Sequence, residues 1–340
     1  MVLPMNDPPA PTDTSRTDGF ARTRWRPSRR QFLGTVGLAV LGAACSSSGS
    51  GSNGGTSTAS SSGGPTTLAG LAKGASQVSV LSSTTPVSPG KVRFAFALST
   101  QQGVLTGGAP QVWAAKTQTS PASGPSTASW HPFTAYEVTH DTSPKSPLPG
   151  TYTAEVTLPS AGNWVMGVQV PSGSGMAFGT AAQPVAPNLP NPVGSKATST
   201  PTPVATTNAA IAQICTRKPV DHMHAISLDA ALKNGKPTVV VFSTPLLCES
   251  QLCAPVTDEV ILDSERRGKQ ANFIHVEEFL PGPDLAPPAA TFANQSAPFK
   301  AWKLQTEPWV FVIDGDGVIR AKYEGPVTAG EIDAALAPLL

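Results

Sequence analysis

The sequence predicts an all-β sandwich followed by a mixed α/β domain, and three observations predict it. Period-2 apolar alternation recurs through residues 75–184, helix and strand signals alternate after residue 208, and Pro/Ser/Thr-rich stretches separate the parts. The 340 residues include 35 prolines and 31 glycines, and only 13% are charged, against about 25% in an average globular protein. That composition excludes long-helix and coiled-coil architectures, and the length suits about two domains. Of 23 basic and 22 acidic residues, six arginines and three aspartates fall within residues 1–44, leaving 17 basic and 19 acidic residues after them. So balanced a chain has no electrostatic pull on phosphates or acidic lipids, which excludes a polybasic nucleic-acid binder.

Residues 1–45 read as an export address. Ser28-Arg29-Arg30-Gln31-Phe32-Leu33 is followed by a small and apolar run from Gly34 to Ala44. A basic n-region before a short apolar h-region is a secretory signal, too short and glycine-rich to span a membrane stably. Arg29-Arg30 followed by Phe32-Leu33 resembles the twin-arginine translocation signal. The run ends Leu41-Gly42-Ala43-Ala44-Cys45 and is similar to a bacterial lipobox, with the leucine four rather than three residues before the cysteine. The resemblance implies an exported protein anchored to the membrane by lipid on Cys45; cleavage near Ala44 and free secretion is the alternative.

Residues 46–74 form a linker whose core, 46–65, is Ser/Gly-rich without apolar periodicity. In 75–184, Val92, Phe94, Phe96 and Leu98 alternate with smaller or polar residues, as do Tyr152, Ala154, Val156 and Leu158. Ser160-Ala161-Gly162 then turns the chain into Trp164, Met166, Val168 and Val170. Further strands are expected near 77–82, 111–117 and 133–139. Several short strands with Gly/Pro turns and no amphipathic helix predict a β-sandwich. The stretch PGTYTAEVTLPSAGNWVMGVQV resembles the last hairpin of immunoglobulin-like sandwiches of bacterial envelope proteins. His131 and His140 are this domain's histidines, and loop histidines of this kind are usually solvated.

A second Pro/Thr-rich stretch, 185–207, is expected to be extended. From 208 to 340, Ser227 is an N-cap candidate for a short helix, and Thr238–Phe242 is a continuous apolar run suited to a buried central strand. A cysteine-containing turn leads into a helix through about Arg267, followed by a strand at Phe273–Val276 and a helix near Ala297–Lys303. Pro308–Ile313, the turn Asp314-Gly-Asp-Gly317 and Val318–Tyr323 predict a hairpin, and Thr328–Leu336 an amphipathic closing helix.

This order, with KPTVVVFSTPLLCESQLCAPV, TEPWVFVIDGDGVIRAKYEG and the final helix, resembles the thioredoxin fold over about 130 residues. The resemblance implies thiol–disulfide exchange on envelope or secreted proteins carrying thiols or disulfides, with no cofactor. Cys248 would be the attacking sulfur, Cys253 the resolving one, and Pro308 a cis-proline helping to position substrate. The spacing is unusual: four residues separate Cys248 from Cys253. In one continuous helix their side chains would point about 140° apart, too far for an unstrained bridge. Proline favours the first position of a helix, so a helix starting near Pro255 would leave both cysteines in a loop and place Asp258 and Glu259 in the first turn. No acidic residue interrupts Val239–Phe242, so the buried proton acceptor common in thioredoxins is missing there. Glu249 and Glu307 are expected to put negative charge near the sulfurs.

With Cys45 lipidated, Cys215, Cys248 and Cys253 remain, an odd number that makes Cys215 either a third redox thiol or a buried bystander. Cys215, His222, Met223 and His224 with Cys248 and Cys253 also form a soft ligand set for copper or zinc. The second reading is therefore copper delivery through Cys248, Cys253, His222 and His224. The third is a fold used only for binding.

Overall fold

The computed structural model describes residues 65–83, 85–134, 149–248, 252–282 and 291–340. The export signal with Arg29, Arg30 and Cys45, and also His140 and Glu249, lie outside the described residues. No described helix is long and apolar enough to cross a membrane.

Among the described residues, the first unit has ten strands: β1 (Ser76–Gln77), β2 (Ser79–Ser82), β3 (Gly90–Thr100), β4 (Gly103–Leu105), β5 (Gln111–Ala115), β6 (Ser123–Thr127), β7 (Ser129–Pro132), β8 (Gly150–Leu158), β9 (Gly162–Ser172) and β10 (Gly175–Val185). They form two five-stranded sheets, one ordered β1-β10-β9-β5-β6 and the other β2-β3-β8-β7 with β4 on β3. The alternating residues meet between the sheets: Phe94, Phe96, Leu98, Tyr152 and Leu158 from one face Val112, Met166 and Val168 from the other. Phe94, Phe96 and Tyr152 stack in series with ring centroids 5.0 and 5.4 Å apart.

Three expectations change here. The turn Ser160–Gly162 does not close a hairpin, because β8 pairs with β3 and β7 whereas β9 pairs with β10 and β5. It is a corner between sheets, held by Trp164 Nε1 donating to Ser160 O at 2.8 Å and Lys116 Nζ donating to Ala161 O at 2.9 Å. The strand that does pair along β9 is β10, whose small residues hide its periodicity. Gly179 there lies so close to β2 that an added Cβ would run into the Val78 carbonyl oxygen. The third change is at the start: part of the 46–74 linker is ordered, since Leu68–Ala72 forms a short helix, α1, that buries Leu68 against Trp113 and Phe178. Of the strand expected at 133–139, residues 135–139 lie outside the described residues, and β7 ends before it at Pro132.

The second unit contains the short helices α2 (Asn208–Ile211) and α3 (Leu228–Ala231), then β11 (Thr238–Phe242), α4 (Cys253–Arg267), β12 (Asn272–Val276), α5 (Ala297–Ala301), β13 (Trp309–Ile313), β14 (Ile319–Glu324) and α6 (Ala329–Leu336). Its sheet is ordered β12-β11-β13-β14, with β12 parallel to β11 and the rest antiparallel. This is the order of elements that the thioredoxin resemblance implies. Every residue of β11 is buried. Val239 and Val241 pack with Val256, Val260 and Ile332 under α4 and α6, while Val240 and Phe242 pack with Phe299, Trp302 and Phe311 on the opposite face.

The 185–207 stretch, expected to be extended, bends and turns through 187–195, with Asn188 and Asn191 at positive φ, and it is docked rather than free. Gly194 N–H donates to Ile319 O at 2.8 Å, and Ile319 N–H donates to Ser195 O at 2.9 Å. Thr202 Oγ1 accepts from Leu228 N–H at 3.0 Å and so takes over the cap of α3, leaving the Ser227 hydroxyl to accept from Thr202 N–H at 2.9 Å.

The two units share a polar contact. Arg93 on β3 pairs with both carboxylate oxygens of Glu331 at 2.8 and 3.0 Å and donates to Pro326 O at 2.9 Å. Glu331 also completes a capping box with Thr328 at the start of α6. Arg93→Ala is expected to cost about 2 kcal/mol of stability, the size of a charge-assisted hydrogen-bond set. Glu331→Ala should cost about 1 kcal/mol more, because it removes a helix cap as well. Denaturant unfolding of both variants checks the order; equal losses would contradict the dual role of Glu331.

Candidate active site

Strand β11 delivers the chain to the site. After Phe242, Ser243 and Thr244 are buried, and Thr244 O accepts from Leu247 N–H at 3.0 Å and Cys248 N–H at 3.1 Å. This tight turn brings Cys248 back to the start of α4. Cys248 and Cys253 form a disulfide with Cα atoms 5.9 Å apart, within the range a bridge needs. Cys248 is half-buried and Cys253 fully buried, so the first is the sulfur open to a partner. Cys253 N–H donates to Cys248 Sγ at 3.3 Å. The more accessible sulfur therefore accepts from an amide of the helix start that has no partner within the helix, where negative charge is favoured.

The helix begins two residues before the expected Pro255. Cys253 is its first residue and Pro255 its third. Proline lacks only an N–H that no residue of the first turn uses, so it marks that turn without marking its first position. In consequence Asp258 and Glu259 lie in the second turn, and both are buried. Asp258 accepts from Arg217 at 2.7 and 2.9 Å, and Glu259 accepts from Ala329 N–H at 2.7 Å.

Glu307 comes to the pair from the loop before β13. One of its carboxylate oxygens lies within 4.8 Å of both sulfurs, and Oε2 is buried without a hydrogen-bond partner. Burial, reinforced by repulsion from Glu278 and Glu277, pushes its carboxyl up to about 8. The expected negative charge is thus absent at neutral pH, and Glu307 holds a proton beside the sulfurs. Strand β11 carries no acid, as read from the sequence, but Glu307 supplies a buried proton-holding group from another loop. Glu277 behaves alike: burial pushes it up to about 7, although Thr216 donates to it at 2.7 and 2.8 Å. The Glu307–Pro308 peptide bond is cis and Pro308 is buried. Leu252 and Glu307, flanking the sulfurs, line a cleft of about 560 Å³ whose far wall includes Val80, Ala95 and Ala181 of the β unit.

Cys215 is a buried free thiol outside this pair. Its sulfur lies 3.4 Å from Asp221 Oδ2 and 3.8 Å from His275 Nδ1, and burial pushes the thiol pKa up. His275 Nδ1 is 2.8 Å from Asp221 Oδ2. Burial opposes both charges, yet each holds the other ionised: His275 stays well above its ordinary value and Asp221 well below.

The copper ligand set Cys248, Cys253, His222 and His224 does not assemble. The two cysteines are bonded to each other, His222 is exposed, and His224 is buried beside Asp221 and His275. The reason is local: His275 N–H donates to Met223 O at 2.8 Å, which pins Met223 and His224 against β12 and leaves His222 outside. Asp221, His275 and Glu277 were not singled out as partners by sequence reading, since they converge only when the 215–224 loop covers the edge of β12.

Glu307 links protonation to both stability and bridge chemistry. Its folded pKa lies above the ordinary carboxylate value, so its contribution to stability is fully present below about pH 4.5 and declines as pH rises to about 8. Glu307→Gln is expected to lose less stability than the parent across that window. It should also slow reduction of the Cys248–Cys253 bridge by a small dithiol about a hundredfold and remove the inflection near pH 8. Stopped-flow reduction against pH measures both effects; an unchanged profile would exclude Glu307 as the proton source.

The chain matches no protein-family model and no curated protein in sequence. Among solved structures it is similar to a thiol:disulfide interchange protein of the thioredoxin family from Chlorobium tepidum TLS, at 18% identity and a TM-score of 0.27, over 43% of this chain and 99% of that one.

Proposed function

We propose that this protein exchanges thiols and disulfides with exported proteins through Cys248 and Cys253. The observation that carries the reading is the bridged pair at the start of α4, with one sulfur accessible and a protonated Glu307 beside it. In the reducing direction the Cys248 thiolate attacks a substrate disulfide, forming a mixed disulfide and releasing one substrate thiolate. Cys253 then attacks Cys248 Sγ, so the second substrate thiolate leaves and the Cys248–Cys253 bridge re-forms. Two electrons pass from the protein dithiol to the substrate. The oxidising direction is the same sequence reversed. The Cys253 amide stabilises the thiolate at Cys248, and Glu307 gives or takes the proton at the departing sulfur. Pro308 presents the adjoining backbone to the substrate chain, which occupies the cleft between the two units.

Arg29 and Arg30 direct export by the twin-arginine route, and Cys45 anchors the mature chain by lipid on the outer side of the cell membrane. The β unit, read as an immunoglobulin-like sandwich over 75–184, serves as a spacer and as one wall of the cleft. The stretch 185–207 leads from it to the thioredoxin-like domain at 208–340.

Differential alkylation and mass spectrometry of the full chain across a glutathione redox series tests the proposal. The expected midpoint lies between about −120 and −270 mV, the range of exchange catalysts. Cys248→Ser should abolish turnover of a disulfide substrate, while Cys253→Ser should trap mixed disulfides. A bridge that resists reduction below about −300 mV would mark it as structural and defeat the reading.

A further inference from the structure

The cluster of Cys215, Asp221, His224 and His275 takes no part in the exchange chemistry. We propose that it is a binding site for a single zinc ion. Four potential ligand atoms, Cys215 Sγ, one oxygen of Asp221 and one nitrogen each of His224 and His275, lie within 4.8 Å of one another, and all four residues are buried. Tetrahedral zinc with one sulfur and three N/O ligands has ligand-to-ligand edges of about 3.3–3.6 Å. Here Cys215 Sγ to Asp221 Oδ2 is 3.4 Å and Cys215 Sγ to His275 Nδ1 is 3.8 Å, slightly long for such an edge, while His224 Nε2 lies 3.4 Å from the carboxylate's other oxygen, Oδ1. The one short edge, 2.8 Å between His275 Nδ1 and Asp221 Oδ2, is a hydrogen bond that the ion would replace.

An independent observation points to a ligand. His224 is only 2% exposed, and its Nε2, beside Asp221, has no hydrogen-bond partner. A buried polar nitrogen left unpaired is costly, and coordination would satisfy it. The surrounding contacts suit the role. His275 Nε2 lies 3.0 Å from the Ser243 carbonyl oxygen, so an N–H there leaves the Nδ1 lone pair for metal. Asp221 Oδ1 accepts from Met223 N–H at 3.0 Å, which orients the carboxylate. A thiolate and a carboxylate balance the two positive charges, with two neutral imidazoles completing the set. One sulfur, two nitrogens and one oxygen are a borderline ligand set that matches Zn²⁺ better than the soft Cu(I) ion.

The test uses the full chain, purified with the Cys248–Cys253 bridge intact and refolded with excess Zn²⁺ before exhaustive dialysis. Metal analysis should give one zinc per chain. Replacement of zinc by Co²⁺ should give the absorption of a tetrahedral thiolate site. Cys215→Ser and His224→Gln should each lower retained zinc about tenfold or more, with the bridge still present and the fold intact by circular dichroism. Cys248→Ser and His222→Gln should retain it. Absence of zinc from the refolded parent, or zinc kept by both Cys215→Ser and His224→Gln, would overturn the proposal. So would zinc lost only on replacing Cys248. A bridge that proves redox-inert would defeat the exchange reading while leaving this result standing, because the proposed zinc ligands and the bridged pair share no residue.

Discussion

Strand β11 is buried along its whole length and has apolar side chains on both faces, so the α/β unit must cover it twice. Val239 and Val241 require α4 and α6 on one side, and Val240 and Phe242 require α5 and Trp302 on the other. A strand of this kind gains most of its stabilisation from area removed from water and leaves no freedom in register, since a shift of one residue exchanges its two faces. The cysteine turn inherits that rigidity. Cys248 and Cys253 are placed by the end of β11 and the start of α4, both of which are set by the core and not by the loop between them.

The same end of the sheet gathers the buried polar groups. Thr244 Oγ1 accepts from Glu278 and Phe279 N–H, Ser296 Oγ donates to Glu277 O, and Glu307 closes over the sulfurs. So many carboxylates in a place with little water do not all ionise readily, and burial pushes Glu277 up to about 7 and Glu307 up to about 8. A seam of hydroxyls joins this region to the Cys215 cluster. Thr257 Oγ1 donates to Cys253 O at 2.7 Å and lies 2.7 Å from Ser243 Oγ, which lies 3.0 Å from His275 Nε2. The two cysteine environments thus sit on one polar layer but differ in access, one half-open and one closed.

Much of this was legible in the sequence. Alternation located β3, β8 and β9, the run Thr238–Phe242 located the central strand, and Asp314–Gly317 located the last hairpin. What was hidden depends on distances along the chain that local patterns do not encode. Which sheet β9 joins is decided by packing across the sandwich, not by the turn at Ser160. Strand β10 escaped notice because Gly179 and its small neighbours serve close approach to β2, not burial of large side chains. Asp221 and His275, 54 residues apart, become partners only when a loop folds over a strand edge. Glu307 was visible as a neighbour of Pro308, but its charge follows from burial and from two other acids, neither of them near it in sequence.

The docked stretch between the two units has a consequence for how this sheet meets other chains. Residues 194–197 bond to the start of β14 at Ile319 and to Gly317 and Val318 before it, and the Met223 carbonyl takes the His275 amide on the outer side of β12. Among the described residues, both open rims of the four-stranded sheet are therefore partly occupied by chain that precedes β11. A bare rim of unpaired amides and carbonyls templates strand addition and, from there, aggregation. These contacts narrow the stretch of rim open to strand addition, and the ends of the strands, where the sulfurs are, stay apart from them. A fragment cut at residue 208 would keep the Met223 contact on β12 and lose the one at the start of β14, lengthening the rim on which a second copy could add a strand.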